Sequence, residues 1–275
     1  MATMATLPLI TCSARLPVYI LLIGTFVPNR TVLGIFNTQA LSFFFLYFLG
    51  SFAALVIAKV FRLTYFKGQS SNFVIDLPLY EMPSLKLAGK QALNKAKMFL
   101  KKAGTVILGL SFLLWLLSTF PRPDQTLVAG KSEAEATAIA LENSLMGRMG
   151  KAIEPVIAPL GMDWKMGMGL ITAFGARELF VSAMGTIYAL GDVNEEAGSL
   201  RERLQKEVNP VTGLPVYNLA VAWSLLIFFV FSLQCTSTLA VLKRETGGWK
   251  MPALMFLYMG ILAYAGSFTA YRLLI

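Results

Sequence analysis

The 275 residues of this chain include no histidine. That excludes imidazole metal sites, Ser–His–Asp and Cys–His catalytic groups and histidine-ligated haem. Cysteine is almost absent as well. Cys12 and Cys235 stand 223 positions apart, which rules out a CxxC redox or zinc motif and offers no disulfide framework. Charged residues make up only 14% of the chain against 56% hydrophobic ones, where a soluble domain carries about 25% and 45–50%. With a mean hydropathy of +0.64, the polar surface that a water-soluble globule needs is missing. The apolar residues fall in blocks of about 17 to 25, the length that crosses a bilayer. These absences describe an integral membrane protein. The first residues also lack a basic region followed by a small-residue cleavage site, so no cleavable signal peptide is expected.

The charge that is present is uneven. Net charge is +9, and residues 62–102 carry eight Lys/Arg against Asp76 and Glu81. Between two apolar segments such a surplus marks a cytoplasmic loop rather than a nucleic-acid surface, and it attracts anionic lipid. Residues 121–165 hold five basic and six acidic residues, and residues 191–217 three and five, so both lean to the outer face.

Residues 16–27 are apolar but only twelve long and interrupted by Pro17 and Pro28, too short to span alone. Residues 41–61 form a full transmembrane helix, with Lys59 able to snorkel at its end. Leu85, Ala88, Ala92, Ala96 and Phe99 recur at helical spacing opposite Lys86, Lys90, Lys97 and Lys101, which predicts a basic amphipathic helix on the membrane surface over 84–102. It runs into a second span at 104–120. Residues 218–242 and 252–275 read as further spans. The segment 166–190 is long enough to cross, yet Arg177 and Glu178 lie at its centre, where each charge costs a few kcal/mol or more. Both flanking loops vote for the outside, which a single crossing cannot satisfy. Two resolutions stand: a broken or re-entrant segment with its break at Gly175, or a cytoplasmic 191–217 loop, since acidic residues carry little topological weight.

Two nucleotide-like motifs fail on inspection. Gly130-Lys131-Ser132 has Gln125 where a phosphate loop needs its first glycine, and Gly167-x-Gly169 has Thr172 at the third glycine position, so neither cradles a phosphate. Thirteen methionines are scattered as packing residues are, without forming a copper path. One internal similarity does stand out. Residues 12–19 and 235–242 share Cys, Leu and Val at equal offsets, with a small hydroxyl residue after each cysteine. Transporters built from repeats place such interrupted segments together at the midplane; two ordinary buried cysteines are the plainer reading.

Five stretches together carry more than any one alone: C-S-A-R-L-P-V-Y at 12–19, K-K-A-G at 101–104, E-P-V-I-A-P-L-G-M-D-W at 154–164, G-A-R-E at 175–178 and C-T-S-T-L-A-V-L-K-R-E at 235–245. In this order they resemble the membrane half of ferrous iron transport protein B, the FeoB family, from about residue 7 to 252. The resemblance implies an all-α integral membrane protein, a polytopic helical bundle with broken or re-entrant gate segments in an inverted-repeat-like arrangement. It divides the chain into the tail of a first gate (1–30), a transmembrane helix (31–62), a basic cytoplasmic loop with its amphipathic helix (63–102), a transmembrane helix (103–120), a polar external loop (121–165) and a second gate region with its helices (166–275).

It further implies Fe2+ uptake across a bacterial cytoplasmic membrane, gated by GTP. The GTP-binding domain, with its GTP and Mg2+, and the front of the first gate are expected on another polypeptide or on a longer form of this chain. Fe2+ is borderline in softness; the resemblance makes Cys12 and Cys235 its thiolate ligands and Glu178 its carboxylate, with Arg15 and Arg177 as gating or counter-charges. GTP hydrolysis belongs to the other domain, so this chain is not expected to be an enzyme. Expected partners are Fe2+, the GTP-binding half or another transporter subunit, anionic lipid along 84–102 and a second copy of the chain, with no nucleic acid. A non-transporting assembly subunit or truncated remnant is the alternative. A membrane thiol enzyme using Cys12 or Cys235 fits less well, because Lys243 is the nearest candidate base.

Overall fold

A computed structural model describes residues 5–32, 36–64, 82, 84–120, 140, 142–175, 177–189, 204, 216–232 and 236–275. Among the described residues the regular structure is helical apart from a small antiparallel pairing of β1 (Thr31–Val32) with β2 (Phe36–Asn37). Its helices are α1 (Leu16–Phe26), α2 (Thr38–Thr64), α3 (Leu85–Thr119), α4 (Leu145–Ile157), α5 (Trp164–Gly175), α6 (Glu178–Ala189), α7 (Leu219–Phe231), α8 (Thr236–Thr246) and α9 (Lys250–Leu274).

Four helices open on caps that the sequence spells out. Ser84, Ser144, Asp163 and Asn218 each accept from the backbone N–H three residues on, at Leu87, Gly147, Met166 and Val221, satisfying donors that a helix start leaves orphaned. Among the described residues, Leu7–Phe26, Thr38–Thr64 and Lys250–Leu274 are long and apolar enough to cross a membrane. The first corrects the sequence reading of 16–27 as too short. Short 3-10 turns at Leu7–Leu9 and Ser13–Arg15 precede α1 and extend the apolar segment to 20 residues. Pro17 sits in the first turn of α1, where a missing N–H costs nothing.

Helix α7 is the centre of the bundle. It is apolar on every side, as a fully enclosed helix should be, and nine of its 13 residues are buried. Its closest partner is α9. Gly266 lets the two backbones approach, since a Cβ there would stand 3.1 Å from Ile227 and 3.2 Å from Phe231. Ser224 and Ser267 then bond across the contact, hydroxyl to hydroxyl at 2.6 Å, and Ser224 also donates to the Leu160 carbonyl at 2.9 Å. Small residues and paired hydroxyls are the means by which helices associate where no hydrophobic effect separates protein from lipid. The faces of α2 away from this core carry exposed Phe44, Phe48, Phe52 and Leu55, the composition of a lipid-facing surface.

Segment 166–190 is broken, the first of the two resolutions open to the sequence. Helix α5 ends at Gly175 and α6 begins at Glu178. The two arms fold back on each other: a Cβ on Gly169 would meet Met184 Sδ and the Phe180 ring at 2.9 Å, a pairing that only a hairpin provides. Its root is tied by a buried hydrogen-bond chain. The Tyr217 hydroxyl donates to Asp163 at 2.8 Å, which leaves Tyr188 to donate to Tyr217 at 2.7 Å. Asp163 precedes α5 and Tyr188 lies near the end of α6, so both ends of the hairpin stand at one level. That removes the conflict between the flanking loops. Burial raises the Asp163 carboxyl above the ordinary carboxylate value, opposed by the Met166 N–H, the Tyr217 hydroxyl and the charge of Lys165. Burial, then the Asp163 charge, pushes the Tyr217 phenol well above its usual value.

Three further features differ from the sequence reading. The apolar stretch 218–242 is interrupted, with α7 ending at Phe231, Ser232 extended and α8 starting at Thr236. Residues 145–157, read within a polar loop, form α4, which packs on α5 through Gly150; a Cβ there would stand 2.6 Å from the Trp164 carbonyl. The basic stretch and the apolar stretch after it are one uninterrupted 35-residue helix, α3.

Candidate functional site

The site lies where the hairpin tip meets the two interrupted segments. Each hairpin arm has 12 residues, about 18 Å at 1.5 Å per residue. Helix α7, with 13 residues, measures about 20 Å from the Tyr217 end to Ser232. The two lengths agree, so the tip reaches the far end of α7, roughly two thirds of the way through a hydrocarbon core of about 30 Å. Phe180 and Phe229 lock the alignment with an edge-to-face contact, ring centroids 4.9 Å apart.

Arg177 stands at this tip and is buried. One Nη donates to Cys12 Sγ at 3.9 Å and the other to the Ser232 carbonyl at 2.6 Å. A single guanidinium thus joins the hairpin, the first cysteine motif and the end of α7. Cys12 is a free thiol with an exposed side chain, in extended backbone just before the turn Ser13–Arg15. Arg15 is fully buried. It donates to the carbonyls of Leu9 at 3.3 Å and Pro8 at 3.0 Å and to Thr11 Oγ1 at 3.5 Å. These uncharged acceptors are held in place by α2. Gly50 faces them, and a Cβ there would stand 2.9 Å from Thr11 Oγ1 and 3.2 Å from the Leu9 carbonyl.

Of the five residues that the sequence singles out, Cys12, Arg15 and Arg177 come together. Cys235 and the side chain of Glu178 lie outside the described residues. The chain positions around them are still informative: α8 begins at Thr236, directly after Cys235, as the turn at Ser13 begins directly after Cys12, and Glu178 is the first residue of α6 at the hairpin tip. Among the described residues no three Cys, Asp or Glu side chains are grouped to hold a metal. Sequence reasoning misses Thr11, Tyr19 and Ser232. Thr11 and Ser232 adjoin or closely precede the cysteine motifs, and that adjacency is the one signal that points to them.

Interrupted helices that converge on the tip of a re-entrant hairpin inside the bilayer define a gate-type helical membrane protein. A family model described as "Nucleoside recognition", the Gate family, matches residues 100–249, and one described as "Ferrous iron transport protein B C terminus" matches residues 43–95. Nearly the whole chain aligns with curated relatives named Fe(2+) transporter FeoB. Identity is 46% over 272 residues with that of Leptospira interrogans serovar Lai, 36% over 268 with that of Campylobacter jejuni and 32% over 292 with that of Helicobacter pylori strain 26695. These alignments cover 97–99% of this chain and 38–43% of each relative, so the chain spans about two fifths of their length. No solved structure matches it. The chain belongs to the ferrous iron transport protein B family, and corresponds to the membrane part that carries the gate.

Proposed function

We propose that this chain forms the membrane-embedded path of an Fe2+ uptake transporter in a bacterial cytoplasmic membrane, opened by a GTP-binding domain outside the residues present. The observation that carries this reading is the junction at Arg177, where the first cysteine motif, the hairpin tip and the end of α7 meet, in a chain that aligns almost end to end with part of proteins named for Fe2+ transport. Cys12, Cys235 and Glu178 are its ligands for the passing ion, and few ligands suit a site that must also release. The Arg177 contact keeps Cys12 engaged when no ion is there, and Arg15 completes the positive counter-charge. GTP and Mg2+ act through the other domain. The relative from Porphyromonas gingivalis is named as a fusion of Fe(2+) transport protein A with Fe(2+) transporter FeoB, and a partner of the first kind fits this chain as a separate polypeptide. Lys86, Lys90, Lys97 and Lys101 on α3 attract anionic headgroups. The segment boundaries at 30, 62, 102, 120 and 165 belong to the same reading.

Fe2+ uptake into cells that supply a GTP-binding half tests it. Glu178→Gln keeps the shape and removes the charge, and should abolish uptake while the protein accumulates normally. Arg177→Gln removes a buried charge that joins three elements and should instead lower the amount of folded protein, by several kcal/mol of stability. Normal flux through a well-expressed Glu178→Gln chain ends the claim for that carboxylate.

A further inference from the structure

Between α4, α5, α7 and α9 lies a cavity of about 200 Å3 with aliphatic and aromatic walls, among them Ile157, Leu160, Leu170 and Phe228. Its one polar side-chain group is already engaged, since the Tyr264 hydroxyl donates to the Val156 carbonyl at 3.0 Å. Water needs polar partners to occupy such a space, so an apolar cavity of this size stays dry and takes apolar ligands instead. Left empty, it forfeits dispersion contacts on every wall. The way in is on α9. Gly260 and Tyr264 line both the cavity and a shallower groove of about 400 Å3, which Phe256, Leu257, Ile261 and Ala265 form on the outer face of that helix. A Cβ on Gly260 would meet nothing within 4 Å, so the missing side chain leaves a gap between the two spaces. Leu257 and Ile261 are 64% and 62% exposed on a helix long and apolar enough to cross a membrane, which makes this face a lipid-facing one. Gly260 stands ten residues after Lys250 and fourteen before Leu274, the ends of α9, or about 15 Å and 21 Å. That is hydrocarbon depth, below the headgroups.

We infer that this cavity binds one alkyl chain of a membrane lipid, which enters from the bilayer at Gly260. Depth and chemistry together select the occupant. At that level the medium outside the groove is acyl chain, and the walls offer nothing to a headgroup, a water or an ion. The bound chain has a consequence for the gate hairpin. Leu170, Ile171 and Phe174 form the α5 wall of the cavity, and Phe174 already reaches Phe256 of α9, ring centroids 5.8 Å apart. An alkyl chain lying between these helices fills the space behind that contact and braces the hairpin arm against α9. The inference uses neither cysteine and no charged residue, so it stands apart from the transport reading. The competing occupant of the outer groove is a second copy of the chain.

The test is photo-labelling of the purified full chain in phosphatidylcholine nanodiscs that contain a phosphatidylcholine with a mid-chain diazirine, read by peptide mass spectrometry. Ile157 and Leu170 are only 5% and 4% exposed, and they should be labelled together with Leu257 and Ile261. Gly260→Phe places a ring in the gap. It should abolish labelling of Ile157 and Leu170 and leave Leu257 and Ile261 labelled, while Gly260→Ala should behave as the parent. The parent chain carries the test if Gly260→Phe does not fold: labelling confined to Leu257 and Ile261 means surrounding bilayer lipid only and overturns the inference. Labelling of Ile157 and Leu170 that survives in a folded Gly260→Phe chain overturns it as well, because the lipid then does not enter at Gly260. Protection of all four residues in the parent means that a second copy covers the face, which also overturns it.

Discussion

Gly161 and Gly247 both adopt left-handed backbone, with φ +78° and +67°, but they face different surroundings. A Cβ on Gly161 would stand 2.2 Å from Tyr271 Cε2, whereas nothing lies within 4 Å of one on Gly247. Both alanine substitutions meet the backbone cost of about 1–2 kcal/mol, and Gly161→Ala must also displace the Tyr271 ring. Unfolding of the two variants side by side should show Gly161→Ala clearly the less stable, and equal losses would refute the contact. Asp163 gives a second test at this scale. Its raised carboxyl pKa means that the protonated form suits the fold, so its contribution is full below the unfolded value near 3.8 and is lost as pH rises through the higher folded value. The parent chain should therefore gain stability on acidification from pH 7 toward 4. Asp163→Asn keeps an oxygen for the Met166 N–H and Tyr217 hydroxyl and should flatten that profile; an unchanged slope would show that another group titrates. Asp163 lies directly before an apolar helix, a place that suits the cap it forms with the Met166 N–H. Its tyrosine partners were not legible in the sequence, because Tyr188 and Tyr217 are 29 positions apart and no periodicity links residues on opposite sides of an intervening loop.

At the scale of elements, the α5–α6 hairpin was half legible. Two central charges and two outward-leaning loops left a break at Gly175 as one of two resolutions, and the helices do part there. The interruption at Ser232 was not legible, because the polar residues from Gln234 to Thr238 fit the end of a spanning helix as well as a break within one. Helix α4 was hidden for the opposite reason: its surroundings average to a polar loop, though Ser144 caps it as a helix start should be capped. A re-entrant hairpin has a topological consequence. In a background with Cys12 and Cys235 replaced by serine, cysteines placed at Lys165 and at Asn218 should react with a membrane-impermeant thiol reagent from the same side of sealed vesicles. Reaction from opposite sides would require a single crossing and refute the fold-back.

For the molecule as a whole, the helical membrane class followed directly from composition, whereas Cys12, Arg15 and Arg177 were marked as a set only by the family resemblance. What composition could not supply was the meeting of Cys12, Arg177 and the end of α7, which depends on two separate paths of matching length, the hairpin arms and α7. On the transport reading proposed above, the 62–102 surplus of lysine and arginine faces the cytoplasm and the hairpin root faces outward. The depth of the hairpin tip has an electrical meaning. A tip about 18 Å into a core of about 30 Å lies near six tenths of the way across the membrane field. A divalent cation that travels from the root to the tip falls through the same fraction of the resting potential, worth about 2.8 kcal/mol per 100 mV at 2.3 kcal/mol per elementary charge. This is close to a hundred-fold concentration at the tip over the outer solution, achieved by the membrane voltage before any ligand is engaged. Depolarised membranes would lose that advantage, and the junction would then have only its own side chains with which to attract an ion.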